Sequence, residues 1–269
     1  MITLFEPYFK NDTYDTLENA KRSFLDIISL GSRWYFVSRY VDVIVKARSL
    51  SLKGLYDDKA WAQSSYNVLK SVEACGGKVH IMGLNNLRSI TQPVVFISNH
   101  MSVLETFLFP CMIAPLIKVT YVVKDSLITH PLFGPVMKSR DPIVVSRTNP
   151  REDFITVMTQ GKELLDKGIS VIIFPQSTRT AEFIPEQFNS MGIKLAKEAN
   201  VPVVPIAIKT DFWENGKIIK DVGPIKRKQP IYVKFSQPIT INGAGKAEHK
   251  AIIDFISENL KRWNEQTSI

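Results

Sequence analysis

From Val79 onward the chain alternates short apolar runs with longer amphipathic stretches, and this limits it to an α/β architecture. The predicted strands are Val79–Met82, Val94–Ser98, Val119–Val123, Ile143–Val145, Ser170–Phe174, Val203–Ile208 and Tyr232–Phe235. Between the fourth and fifth lies a clear helix. Asn149 caps it, Pro150 suits its first position, and Glu152 and Asp153 complement the positive end of its dipole. Phe154, Val157, Met158, Gly161, Leu164 and Leu165 form its buried stripe, and Gly168 ends it. Further helices are expected over Gln187–Asn200 and Ala247–Trp263, with Asp211–Pro230 (Lys217, Lys220, Lys226, Arg227, Lys228) as a basic hairpin excursion. Residues 76–269 should thus form a mixed, mainly parallel seven-strand sheet flanked by helices.

Residues 1–75 read as helical, with no strand alternation. Trp61–Cys75 is a helix stopped by Gly76-Gly77. In Ser32–Lys46 the residues Trp34, Tyr35, Val37, Val41, Ile44 and Val45 recur at helical intervals, with Arg33, Arg39 and Lys46 between them. An apolar face with aromatic and basic neighbours suits a helix lying in a membrane interface. The same pattern fits a helix packed on the protein's own core with its arginines in solvent; the expectation adopted is an N-terminal membrane-docking element. No run of 18 apolar residues occurs, so no spanning helix is expected. The opening MITLFEPYFKNDTYD is too polar and acidic for a signal peptide. Cys75 and Cys111 lack metal-ligand spacing and read as reduced core thiols of a cytosolic protein. The net charge of +8 favours an anionic partner. With no zinc pairs and no aromatic-basic interleaving, that partner should be a phospholipid surface rather than nucleic acid. The expected location is peripheral, on the cytoplasmic face of a membrane.

Chemistry concentrates in Pro93–Pro110, PVVFISNHMSVLETFLFP, where a buried strand runs into Ser98-Asn99-His100-Met101 and then a short helix. Polar residues at a strand's carboxyl end, at the mouth of a sheet, are where α/β proteins build sites. On an ideal helix, residues five apart are roughly 140° around the axis. His100 and Glu105 therefore meet only if His100 sits in the turn before the helix and Glu105 in its first turn, with Ser102 as N-cap. Ser102-x-x-Glu105 also fits a capping box, in which Glu105 merely satisfies a backbone N–H.

The stretch Asn99-His100-Met101-Ser102-Val103-Leu104-Glu105 resembles the N-H-x-x-x-x-D signature of the glycerolipid acyltransferase superfamily, in its lysophosphatidate acyltransferase branch. Three further blocks are similar to that family in order and spacing. They are Lys124–Arg147, with its Pro131-Leu132-Phe133-Gly134 step; Phe174-Pro175-Gln176-Ser177-Thr178-Arg179-Thr180; and Val201-Pro202-Val203-Val204-Pro205-Ile206. The resemblance covers about Ala74 to Lys209.

It implies acyl transfer from acyl-CoA or acyl-acyl-carrier-protein to the free hydroxyl of a lysophospholipid, first of all 1-acylglycerol-3-phosphate. His100 would be the base and Glu105 its orienting partner. Arg147, Arg179 and Lys124 would bind the acceptor phosphate, and Asn99, Gln176, Ser177 and Thr178 would line the acceptor site. No metal and no cofactor beyond the thioester co-substrate is implied. Histidine, ordinarily near pKa 6.5, suits base catalysis on an alcohol, and a guanidinium fork matches phosphate oxygens. An apolar groove with residues such as Phe107 and Phe133 would take the acyl chain. The alternatives are a non-catalytic lipid-binding protein on the same fold, or transfer to another alcohol. His80, His130 and His249 show no partner pattern and read as non-catalytic, and the Pro202/Pro205 segment as structural. Three departures from the family pattern touch the acceptor side: Glu105 for aspartate, Gln176-Ser177 for Glu-Gly, and no lysine just before Gly192.

Overall fold

The computed structural model describes residues 3–267 except 31, 177 and 217–220. Among them eight strands form one sheet: β1 (Tyr14–Asp15), β2 (Val79–Met82), β3 (Val95–Ser98), β4 (Val119–Lys124), β5 (Ile143–Val145), β6 (Ser170–Ile173), β7 (Val203–Lys209) and β8 (Ile231–Phe235). Three helices lie before β2: α1 (Phe24–Ile28), α2 (Arg33–Leu52) and α3 (Asp58–Ala74). Then come α4 (Leu84–Arg88), α5 (Leu104–Ile113), α6 (Asp125–Thr129) and α7 (Gly134–Lys138). Last are α8 (Pro150–Asp166), α9 (Met191–Glu198) and α10 (Lys246–Thr267).

The strand order is β1-β2-β8-β7-β3-β6-β4-β5. Only β1/β2 and β7/β8 run antiparallel. The sheet is therefore mixed and mainly parallel, as expected, but with eight strands rather than seven. The addition is β1, inside the segment expected to be wholly helical. Two residues cannot display a period of two, so Tyr14-Asp15 carries no strand signal. Its pairing rests on tertiary contacts: Thr16 donates its N–H to Val79 O (2.9 Å), and Asp15 accepts from the His80 ring (2.6 Å). That contact, with stacking on Tyr232, occupies His80.

β3 lies between β7 and β6, buried at every position, so whatever follows Ser98 emerges at the centre of the sheet's carboxyl edge. Helix α5 carries that exit. Pro110 inside it cannot donate to the Thr106 carbonyl four residues back, and the Tyr121 hydroxyl donates there instead (3.1 Å). Ser65 of α3 knits the same region, donating to Leu108 O and accepting from the Cys111 N–H. One core cluster runs from Phe36 and Tyr40 of α2 to Trp263 of α10, so the N-terminal helices pack on the sheet domain. Cys75 and Cys111 are free and buried, and burial pushes both thiols up to about 12, where they are inert.

One helix start moved. Asn149 caps α8 as expected, its side chain accepting from Glu152 N, and Gly168 closes it at φ 82°. The helix expected from Gln187 instead starts at Met191. Pro185–Gln187 is a 3₁₀ turn, and the Asn189 side chain accepts from Met191 N, giving the helix a later start. The excursion after β7 is a hairpin at its base, with Trp213 bridging Ile225 antiparallel. Lys217 and Lys220 lie outside the described residues.

Candidate active site

His100 stands two residues beyond β3, and Glu105 is the second residue of α5. The predicted geometry is met: His100 Nδ1 and Glu105 Oε1 are 2.8 Å apart. The helix N-cap position is Val103 rather than Ser102, although Ser102 Oγ accepts from Leu104 N (3.0 Å). Glu105 is fully buried, and its carboxylate is saturated with donors. Met101 N and Ser102 N donate to Oε1 (2.7 and 2.9 Å); the hydroxyls of Ser102 and Thr210 lie 3.0 and 2.7 Å from Oε2. The capping box and the histidine pair are thus one structure, not alternatives. Burial by itself would raise this carboxyl, but His100, Thr210 and the backbone N–H groups prevail and hold it below its ordinary range. An ionised carboxylate can only accept, so Nδ1 is a protonated nitrogen, and in the neutral ring it is Nε2 that carries the lone pair. Phe174 stacks on the ring at 4.2 Å and fixes its plane.

The ring lines a cavity of about 430 Å³. Lys124, Arg147 and Arg179 line the same cavity, so the structure collects the predicted basic residues around His100. Val43, Ile44, Phe107 and Phe133 supply apolar wall, which includes both aromatics expected of an acyl groove. His130 also lines it, with Nδ1 accepting from the N–H groups of Leu132 and Phe133 (3.2 and 3.4 Å). Arg147 sits at φ 60°, a conformation held by Asp153, which accepts from Ser146 N (2.8 Å) and Arg147 N (2.7 Å). Burial and then the nearby Arg179 charge hold the Arg147 guanidinium below its usual range, against the pull of Asp153. Two like charges held this close favour an anion between them.

Three expected lining residues sit elsewhere. Asn99 is buried and exchanges two hydrogen bonds with the Ile208 backbone (both 2.9 Å), tying the strand exit to β7. Gln176 accepts from His100 N (2.7 Å) and donates to Thr180 Oγ1 (2.7 Å), so it braces the histidine loop from behind. Thr178 is exposed and outside the cavity wall, and Ser177 lies outside the described residues. In the other direction, no motif pointed to Thr210 on the Glu105 carboxylate. Nor did any point to Asp221, which pairs with Arg179 at 2.6 Å in the cavity.

Residues 78–209 match the family model described as Acyltransferase. The chain is 33% identical over 152 residues to a 1-acyl-sn-glycerol-3-phosphate acyltransferase of Pseudomonas aeruginosa, covering 56% of this chain and 57% of the relative. A chloroplastic protein of the same description from Arabidopsis thaliana is 30% identical over 131 residues, 49% of this chain and 36% of its own. The chain spans about half the length, or less, of these curated relatives. Its fold is similar to the crystal structure of the 1-acyl-sn-glycerophosphate (LPA) acyltransferase PlsC from Thermotoga maritima. The TM-score is 0.61 at 18% identity, over 89% of this chain and 97% of that one. The match to the Acyltransferase model spans the site residues from His100 to Arg179.

Proposed function

We propose that the protein transfers a fatty acyl group from acyl-CoA or acyl-acyl-carrier-protein to the free hydroxyl of 1-acylglycerol-3-phosphate, giving phosphatidic acid. The observation that carries this reading is the co-location, in one cavity, of an oriented imidazole, basic side chains and an apolar wall. His100 Nε2 takes the hydroxyl proton as the alcohol oxygen attacks the thioester carbonyl. The Glu105 carboxylate stabilises the imidazolium that forms. When the tetrahedral intermediate collapses, the acyl–sulfur bond breaks and the imidazolium returns its proton to the departing thiolate. No acyl-enzyme forms, because the alcohol itself is the nucleophile.

Arg179 and Arg147 hold the acceptor phosphate, with Lys124 as an outlying charge. Arg179→Lys keeps the charge and loses the fork, so it should raise the acceptor KM about tenfold with little change in kcat. Thiol release against lysophosphatidate concentration measures this. An unchanged KM would remove Arg179 from the phosphate site.

The N-terminal helices dock the domain on a membrane. Helix α1 supports this directly: its one buried side chain is Asp26, held by Arg22 and by Arg227 (2.8 Å). Its Phe24, Leu25, Ile27 and Ile28 are exposed, as is Leu30 just beyond it. A helix that buries its acid and exposes its apolar side chains needs an apolar cover. On α2, Trp34, Val41, Val45 and Leu52 face outward on one stripe while Phe36, Tyr40, Val43 and Ile44 pack inward, so α2 serves both the core and the docking face. No helix among the described residues is long and apolar enough to cross a membrane. Replacing Ile28 and Trp34 together by glutamate should abolish co-sedimentation with phosphatidylglycerol-containing vesicles while leaving the melting temperature unchanged. Retained vesicle binding would refute docking through this face.

A further inference from the structure

The cavity that gathers Lys124, Arg147 and Arg179 also admits a carboxylate. Asp221 Oδ1 lies 2.6 Å from Arg179 Nη1, with side-chain exposures of 34% and 16%, and it is the acidic side chain among the described lining residues. Neither atom of the pair has an aligned hydrogen bond, although both are buried. The contact is thus a charge pairing that leaves the guanidinium's directional capacity unspent.

This carboxylate is delivered by a braced loop. Glu214 N donates to Pro224 O (3.1 Å) and Lys226 N to Phe212 O (2.7 Å), closing the base of the excursion. Gly223 is required there, since a Cβ at that position would come within 1.9 Å of Glu214 O. Buried Lys209 ties both limbs together through Asp211 (2.7 Å) and Gln229 (2.9 Å). Asn215 donates to Met101 O (3.1 Å), joining the near limb to the His100 turn. Arg33 of α2 donates to Val222 O (3.3 Å), next to Asp221 itself.

We infer that Asp221 is a specificity-determining residue: an internal anion seated on Arg179 that an acceptor phosphate must displace. This rests on the reading of Arg179 as the phosphate ligand. A tethered carboxylate competes at high effective concentration, so an entering group must bind Arg179 distinctly better than a single negative charge does. A phosphomonoester, carrying about −1.5 to −2 at neutral pH, meets that condition. A phosphodiester headgroup carries one charge, and with it no electrostatic advantage over the carboxylate already in place. Asp221 therefore selects phosphomonoester lysolipids against lysolipids whose phosphate is esterified a second time.

Asp221→Asn keeps the size and removes the competing charge. With the whole chain, thiol release is measured using 1-acylglycerol-3-phosphate and 1-acylglycerol-3-phosphoglycerol as acceptors, and inorganic phosphate binding is measured by calorimetry. The expected result is a rise of about tenfold in kcat/KM for the phosphodiester, a smaller fall in KM for the phosphomonoester, and tighter phosphate binding. Asp221→Glu, which restores the charge, should restore the discrimination. A higher phosphomonoester KM with weaker phosphate binding would mean that Asp221 orients Arg179, and the inference would be overturned; unchanged constants would overturn it equally. If the wild-type chain releases no thiol with either acceptor yet the variant binds phosphate more tightly, the proposed reaction fails and the competition for Arg179 stands.

Discussion

Replacing His100 by alanine should lower the turnover of acyl transfer by about 10²–10⁴-fold, the range that a positioned general base supplies. The loss should fall on kcat, because in the proposed mechanism the imidazole acts on the hydroxyl proton rather than on the phosphate or the acyl chain. The fold should survive. Glu105 keeps its bonds from Met101 N, Ser102 N and the two hydroxyls, so one departing donor does not strand a buried charge. The space vacated lies against the cavity and Phe174 and can fill with water. A melting temperature within a few degrees of wild type, together with undiminished phosphate binding, would separate this outcome from unfolding. Retained thiol release at the wild-type rate would end the proposal that His100 is the base. Because the variant keeps the surfaces proposed to face lipid and to bind phosphate, the same experiment divides an enzyme from a lipid-binding protein built on this fold.

What the sequence conveyed and what it withheld divide along a physical line. Periodicity is a property of segments, so the parallel strands and the helix of Pro150–Asp166 were legible, whereas the two-residue Tyr14–Asp15 was not. Three of the four motif blocks gave residues that converge on one cavity from separated segments: His100 after β3, Lys124 and Arg147 around β4 and β5, and Arg179 after β6. Neighbours within a motif fared worse. Asn99 and Gln176 adjoin site residues in the chain, yet their amides turn away to Ile208 and Thr180, because backbone direction at a strand exit decides which side chain faces the cavity. Gln176 in place of a glutamate now has a visible consequence. Its oxygen accepts from the His100 N–H and its nitrogen donates to the Thr180 hydroxyl, where a carboxylate would instead accept from that hydroxyl and bring a negative charge behind the histidine loop. Thr210 and Asp221 follow β7 and belong to no motif; the parallel pairing of β7 with β3 carries Thr210 to the Glu105 carboxylate, and the excursion after β7 carries Asp221 to Arg179.

Replacing Glu105 by glutamine should reduce turnover roughly 10- to 100-fold and also lower stability, since one carboxylate serves both the imidazole and the helix start. Glutamine can keep its oxygen toward His100 Nδ1, Met101 N and Ser102 N, with its amide nitrogen directed at the Ser102 and Thr210 hydroxyls, which rotate to accept. The tautomer is then preserved and only the charge is lost. A hydrogen bond to a charged group contributes about 1.5–3 kcal/mol, and losing that assistance when the imidazolium forms gives the stated range. Alanine would be worse, because it leaves buried N–H groups unpaired at about 1–3 kcal/mol each. The pH dependence has a fixed sign. The Glu105 carboxyl is held below its ordinary range, so its contribution to stability is complete above the unfolded value of about 4.3 and is lost as pH falls through the lower folded value. Glutamine does not titrate. The stability gap between wild type and Glu105→Gln should therefore be constant near neutrality and close as pH drops below about 4.3, measured by denaturant melts across the acid range. A gap that persists undiminished at low pH would show that the carboxylate is not ionised in the folded protein, and the assignment of the free lone pair to His100 Nε2 would go with it.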